Sequence, residues 1–193
     1  MHNERSCRWQ HIIKQVEADY RLLPVSEKAW IAQQLQQLAT VQQRLQQLFE
    51  AGNGKQACRD CLGECCAKGH NHMTLANLLG FMQRGEQPPE PSFSQTCPFL
   101  GEQGCVLEVA DRPYNCITFV CDIIENSLTS LQVTEFYALE RQLRSLYQGF
   151  AERYAGAGLT GLLLQSERLN GQAFLDLKIP GVTGPVARQQ ELE

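Results

Sequence analysis

The sequence lacks the features expected of a membrane-spanning or nucleic-acid-binding chain. No apolar run approaches the roughly 20 residues that a membrane helix needs. The residues after Met1 lead into an amphipathic segment without the apolar stretch of a signal peptide, so we expect a cytoplasmic protein. Basic residues number 17 against 21 acidic ones, a net charge of −4, and they form no stripe. This charge pattern argues against binding to phosphate backbones.

Common catalytic motifs are missing as well. The chain has no P-loop, no dinucleotide-binding glycine pattern, no nucleophile elbow and no His-Glu-x-x-His motif. No enzymatic activity is therefore assigned from the sequence.

No long stretch alternates between apolar and polar residues, so we predict a mainly α fold with little or no sheet. In this fold, long helices flank a small cysteine-rich core centred on metal. The predicted helices span residues 8–23, 26–51, 74–84, 134–154 and 159–169. Three regions follow, which we expect to form one compact domain: helical residues 1–57, a cysteine region 58–122, and helical residues 123–193 with a loose tail.

The sequence also makes predictions about the N-caps of the long helices and about the packing of the helix at residues 26–51. Ser26 and Thr134 are the predicted N-caps of the two longest helices, since hydroxyl side chains favour that position. The apolar stripe of residues 26–51 fits either a coiled-coil dimer or a helix packed on its own domain. In the second case, residues such as Gln46 are expected to face solvent. The stripe is short and lacks flanking charge pairs, which favours packing within the domain.

Cysteine dominates the middle of the chain. Eight of the nine cysteines lie between Cys58 and Cys121, and in a reducing compartment clustered cysteines indicate metal ligands or catalytic thiols before disulfides. The first cysteine group comprises Cys58, Cys61, Cys65 and Cys66, and the second cysteine group comprises Cys97, Cys105, Cys116 and Cys121.

The spacing favours metal but leaves its identity open. Side chains of the adjacent Cys65 and Cys66 diverge, so they serve different sites or one is not a ligand. Eight thiolates permit two tetrahedral sites holding about two zinc ions, and the partition between sites is not determined. The spacing lacks paired zinc-ribbon knuckles. Cys97-Pro98, with single ligands in separate segments, favours an iron–sulfur cluster. The apolar neighbours expected to shield such a cluster are Phe99, Leu100, Ile117 and Phe119.

The pattern Cys58-x2-Cys61-x3-Cys65-Cys66, followed by Cys97, Gly104-Cys105, Arg112-Pro113-x2-Cys116 and Phe119-x-Cys121, resembles the YkgJ-type cysteine-cluster family. Members of that family are described as zinc- or iron-chelating proteins. The resemblance covers about residues 58–122 and implies that all eight cysteines are metal ligands. Ile117 and Leu107-Glu108 depart from the family pattern, which weakens any inference about a shared partner or substrate.

Residues outside the eight cysteines have weaker assignments. His70 and His72 are capable metal ligands, but with eight thiols available we expect them in an exposed loop. Cys7 lies outside the pattern, and we expect a half-buried thiol there. Arg112 fits either a donor to thiolate sulfur or a surface ion pair with Asp111 or Glu108.

Two function classes follow. In the first, an iron–sulfur centre transfers electrons or senses redox state. In the second, structural zinc supports an interaction surface, formed by the helices at 26–51 and 134–154, for an unknown protein partner. Residues 58–121 carry an excess of three negative charges, and thiolates add more, so nucleic acid is not expected as the partner.

Overall fold

Helices make up most of the described chain. The computed structural model describes residues 2–61, 69, 72–95, 97–102 and 104–178. The predicted loose tail from Pro180 onward lies outside these ranges. The helices of the described residues are α1 (His2–Leu22), α2 (Val25–Ala51), α3 (Gly54–Asp60), α4 (Leu75–Arg84), α5 (Tyr114–Thr118), α6 (Asp122–Glu125), α7 (Ser130–Arg153) and α8 (Leu162–Leu169).

Strand structure is limited to one small hairpin. Strands β1 (Leu100–Gly101) and β2 (Gly104–Cys105) pair antiparallel, and a 3₁₀ turn at Val109–Asp111 follows them. The prediction of a mainly helical fold with little sheet is confirmed for the described residues. None of the described helices is long and apolar enough to span a bilayer.

Helices α1 and α2 begin earlier than predicted. α1 starts at His2 rather than residue 8, because the apolar pattern marks only the buried stretch from Trp9 and not the polar first turns. α2 starts at Val25 with Pro24 at its N-cap, where the fixed φ of proline suits a helix start, and the prediction of a Ser26 cap is wrong. The backbone N–H of Lys28 donates to the Pro24 carbonyl at 3.1 Å, which closes the first turn.

Helix α2 packs on its own domain. Its apolar side chains face α7, with further contacts to the 3₁₀ turn and α4. The buried apolar residues of α2 are Ile31, Leu38, Val41, Leu45 and Leu48. Gln42 and Gln46 are buried among them, at 1% and 5% exposure, so the expectation that Gln46 faces solvent is wrong.

Capping explains the bounds of α4 and α7. Thr74, at the start of the predicted helix 74–84, caps α4, and Asn77 completes a capping box. The helix is followed by Gly85, which has a φ of +69°. α7 begins after Thr129, whose hydroxyl accepts from the N–H of Gln132 at 3.3 Å. The predicted Thr134 cap is wrong, since its hydroxyl donates to the Ser130 carbonyl inside the helix.

The core is shared by helices from both ends of the chain. α1 packs on α8, and α7 supplies large buried side chains, which include Phe136, Leu143, Tyr147 and Phe150. α4 lies in the middle, with every residue from Leu75 to Met82 buried. The segment between the two cysteine groups is therefore anchored in the same core as the flanking helices.

A buried ion pair joins the start of α2 to the end of α7. Glu27 is 8% exposed and accepts hydrogen bonds from the Arg153 guanidinium and from the Tyr154 hydroxyl, the latter at 2.7 Å. The Arg153 hydrogen bond keeps the pKa of Glu27 below its ordinary value, although burial acts in the opposite direction, and the Tyr154 hydroxyl lowers the pKa further. The carboxylate is therefore charged at neutral pH and fully partnered.

Candidate metal centre

Six of the eight predicted ligands fall within the described residues, whereas Cys65 and Cys66 lie outside them, as does His70. In the first cysteine group, Cys58 lies on α3 and Cys61 directly follows that helix, where its Sγ donates to the Cys58 carbonyl at 3.6 Å. α3 packs against α6, and Cys121 is the N-cap residue directly before α6. The fold thus brings the helix that carries Cys58 into contact with the helix that follows Cys121.

The small hairpin brings Cys97 and Cys105 together. Cys105 on β2 pairs with Leu100 on β1, while the N–H of Leu100 donates to the Cys97 carbonyl at 3.1 Å. Gly104 has a φ of +114°, a conformation that favours glycine and allows the tight turn between the strands. Residues eight positions apart in the sequence thus become neighbours.

Cys97 is a buried thiol with a nearby second thiol. It is 8% exposed, and burial raises its pKa. The charge of Cys105 raises it further, although a hydrogen bond with the Phe99 backbone acts in the opposite direction. A positive charge beside this sulfur, such as that of a metal ion, would stabilise its thiolate form.

A buried polar network holds the segment that leads to Cys116. The side-chain amide nitrogen of Asn77 on α4 lies 3.3 Å from the Asp111 carbonyl, 3.2 Å from the Arg112 carbonyl and 3.2 Å from the Tyr147 hydroxyl. Gln42 on α2 donates to the same Arg112 carbonyl at 2.7 Å. Such a satisfied network in a low-dielectric interior rigidifies its members. Three helices therefore fix the chain just before Cys116.

Sequence reasoning missed this network. Apolar spacing predicts the helices that carry Gln42 and Asn77 but gives no partner for either side chain. At each of these two positions, a single amide lies on an otherwise apolar helix face, and this pattern could have indicated the network. Buried polar groups need partners, so each such amide indicates an unpaired backbone group opposite it.

Arg112 connects the hairpin segment to α2. Its guanidinium donates to the Leu107 carbonyl at 3.2 Å and to the Gln46 side chain at 3.0 Å. The carboxylate of Asp111, one of its predicted partners, instead accepts two hydrogen bonds from Arg84, each 3.0 Å long. Donation from Arg112 to a thiolate stays a prediction.

His72 lies beside Cys116. Its Nδ1 atom is 3.3 Å from the Cys116 Sγ. His72 lies in a turn, as expected, but its side chain is half-buried rather than exposed. Burial lowers the pKa of the imidazole, which is therefore neutral at pH 7. A neutral imidazole has a lone pair to offer either to a thiol proton or to a metal ion.

The turn that carries His72 also passes Cys97. The N–H of His72 donates to the Gly69 carbonyl at 3.2 Å. Gly69 lies so close to Cys97 that a Cβ atom at this position would be 2.5 Å from the Cys97 Sγ. One short turn is therefore in contact with two cysteines of the second group.

Two further expectations need correction. Cys7 is exposed on α1 rather than half-buried. Of the apolar neighbours expected to shield a cluster, Phe99 and Ile117 are buried and Leu100 is partly buried, but Phe119 is 56% exposed. Shielding by apolar side chains is thus confined to the hairpin and α5.

The described donors occur as pairs. Among the residues that the structure describes, no group of three or more His, Cys, Asp or Glu side chains is arranged to hold a metal ion. The pairs are Cys97 with Cys105 and Cys116 with His72, together with the contact between the Cys58 helix and the Cys121 helix. Thiolate and imidazole donors of this kind suit zinc and iron–sulfur centres rather than magnesium or calcium.

No family model, curated protein or solved structure matches the chain. The resemblance to the YkgJ-type family therefore rests on the cysteine spacing.

Proposed function

We propose that the protein binds metal through its two cysteine groups, and that the bound metal is an iron–sulfur centre used for electron transfer or redox sensing in the cytoplasm. The observation that supports this most is the pairing of buried Cys97 with Cys105 by the hairpin, on a frame that other contacts hold in place. The proposed ligands are all eight cysteines, and for Cys65 and Cys66 the proposal depends on the sequence pattern.

An iron–sulfur centre is favoured by how its ligands would reach it. Cys97 lies in a loop, Cys105 in a strand, Cys116 in a short helix and Cys121 at the N-cap of another. They do not form the two Cys-x2-Cys turns of a zinc ribbon. Ligands from separate segments suit an iron–sulfur cluster, because the cysteines that bind a cluster lie farther apart than the ligands of one zinc ion. Buried Phe99 and Ile117 would limit water access, which tunes the reduction potential of a cluster.

Structural zinc is the alternative, with about two ions per chain. The position of His72 beside Cys116 favours it, since mixed cysteine and histidine donors are common at zinc sites. In this case the outer faces of α2 and α7 would serve to bind a protein partner. The excess of negative charge between Cys58 and Cys121 makes nucleic acid an unfavourable partner under either proposal.

Metal analysis of protein purified without oxygen separates the two proposals. An iron–sulfur protein is expected to be brown, to bleach on reduction and to contain iron and acid-labile sulfide in similar amounts. A folded, colourless protein with about two zinc ions would contradict the redox proposal and support the alternative. A folded protein that retains neither metal contradicts both.

A further inference from the structure

We propose that His72 is a ligand of the same metal centre as Cys116. This inference rests on the proposed function, and it adds a nitrogen donor to a site otherwise built from thiolates. Three observations support the assignment: the distance between the two donor atoms, the contacts that hold His72 in position, and the contact of its turn with Cys97.

The distance fits two ligands of one ion. The Nδ1 atom of His72 lies 3.3 Å from the Cys116 Sγ. With metal–nitrogen and metal–sulfur bonds of about 2.0 and 2.3 Å, two neighbouring tetrahedral ligands place their donor atoms about 3.5 Å apart. A shift of a few tenths of an ångström therefore admits a metal between the two atoms.

His72 is held in this position from its C-terminal side. The adjacent Met73 is buried, and its carbonyl accepts from the N–H of Leu162 at 2.7 Å. Thr74 follows as the cap of α4, with its N–H and hydroxyl both directed at the Asn77 side chain, 3.1 and 2.8 Å away. The same Asn77 binds the carbonyl of Arg112 ahead of Cys116. One buried amide thus holds the backbone near both donors, which is the kind of rigid support that a metal site requires.

The surrounding cysteines favour a shared centre over an isolated thiol–imidazole pair. Gly69, which accepts from the His72 backbone, lies against Cys97, and Cys97 is paired with Cys105. The turn thus links the two described donor pairs. A pair serving as nucleophile and base would need a substrate site beside it, whereas a metal ligand needs only further donors.

Spectroscopy of the wild-type protein tests the assignment directly. If the centre is iron–sulfur, pulsed electron paramagnetic resonance of the reduced cluster should reveal a coordinated ¹⁴N nucleus that changes on ¹⁵N-histidine labelling. If the centre is zinc, X-ray absorption should show imidazole scattering at about 2.0–2.1 Å beside the sulfur shell. Because no substitution is needed, a folding defect cannot obscure the result.

Variants then test whether the coordinating nitrogen belongs to His72. His72→Cys should retain the metal but lose the nitrogen signal, and for a cluster it should lower the reduction potential, since histidine ligation raises it. His72→Ala should weaken metal binding about tenfold or more. Loss of a hydrogen bond to a ligand also weakens binding 10- to 100-fold, roughly, so the spectroscopic signal decides between the two roles. His11→Ala, at an exposed position of α1, is the matched control and should leave metal and signal unchanged.

The possible outcomes distinguish the assignment of His72 from the proposed function. A metal-loaded wild-type protein with sulfur ligands alone overturns the assignment of His72 and leaves the proposed function intact. A nitrogen signal that persists in His72→Cys, or that disappears in His70→Ala instead, also overturns it. Wild-type protein without metal removes the proposed function, and the assignment of His72 falls with it.

Discussion

The side-chain amide of Asn77 lies 3.2 Å from the Arg112 carbonyl, and the same nitrogen lies 3.2 Å from the Tyr147 hydroxyl. This relationship joins α4, α7 and the segment before Cys116 at one buried point. Asn77 also accepts from Thr74, two residues after His72. The geometry of the candidate metal centre therefore depends on a residue that is not itself a metal donor.

Removing this amide should destabilise both the fold and the centre. Asn77→Ala leaves buried carbonyls with fewer donors, so we expect the free energy of unfolding in urea to fall by about 3 kcal/mol. Metal content should fall with it. Tyr147→Phe removes a single hydroxyl and should cost about 1 kcal/mol. Equal effects of the two variants would contradict a central role for Asn77.

Cysteine variants test the ligand set. Cys61→Ser and Cys116→Ser should lower metal content and the melting temperature together, because metal binding is coupled to folding. Cys7→Ser, on the exposed surface of α1, is the control and should change neither quantity. Full metal content and stability in Cys61→Ser would remove it from the ligand set. Loss of metal in Cys7→Ser would add that residue.

The close approach of Gly69 to Cys97 leaves no room for a methyl group. Gly69→Ala would place a Cβ atom 2.5 Å from the Cys97 Sγ, so the turn or the cysteine must move. We expect lower stability and weaker metal binding, measured by thermal unfolding and chelator competition. Gly149→Ala in α7 is the matched control, since nothing lies within 4 Å of its Cβ position. In a helix interior, that change should stabilise by about 0.5–1 kcal/mol.

Glu27 should make stability depend on acid pH. Its pKa is lower in the folded than in the unfolded protein, because Arg153 donates to it. The stabilisation is therefore complete above the unfolded value of about 4.3 and is lost as pH falls through the lowered folded value.

The Glu27→Gln variant isolates this contribution. Relative to wild type, it should lose about 2 kcal/mol at pH 7, and the difference should shrink below pH 4, as measured by urea unfolding across pH. Glu152→Gln, an exposed carboxylate on α7, is the control and should stay within about 0.5 kcal/mol of wild type. A difference for Glu27→Gln that does not vary with pH would contradict the role of the ion pair.

Helix content and the buried faces were predictable because they follow from apolar spacing. Phe136, Leu143 and Phe150 recur at helical intervals on α7, and each is buried. Thr74 and Gly85 marked the ends of α4 because cap preferences are local. The start of α7 was missed, since Thr129 and Thr134 are both acceptable caps and only tertiary packing selects between them.

The candidate centre was predictable in its residue types but not in its contacts. Cysteine spacing predicts metal from local proximity, whereas the contact between His72 and Cys116 joins residues 44 positions apart. That contact depends on how α4 is seated in the core. The partners of Gln42 and Arg112 are likewise long-range, and a single sequence carries no signal for such pairs.

The order of the elements along the chain has a consequence for biosynthesis. Cys121 precedes α7, and Tyr147 on α7 completes the network around Asn77. At about 5–20 residues per second, a ribosome makes the interval between Cys121 and the end of α7 in a few seconds. During that time every cysteine of both groups has been synthesised, but the frame that positions Cys116 is incomplete. If the proposed centre forms, we therefore expect its maturation to follow the docking of α7, after the cysteines themselves have been made.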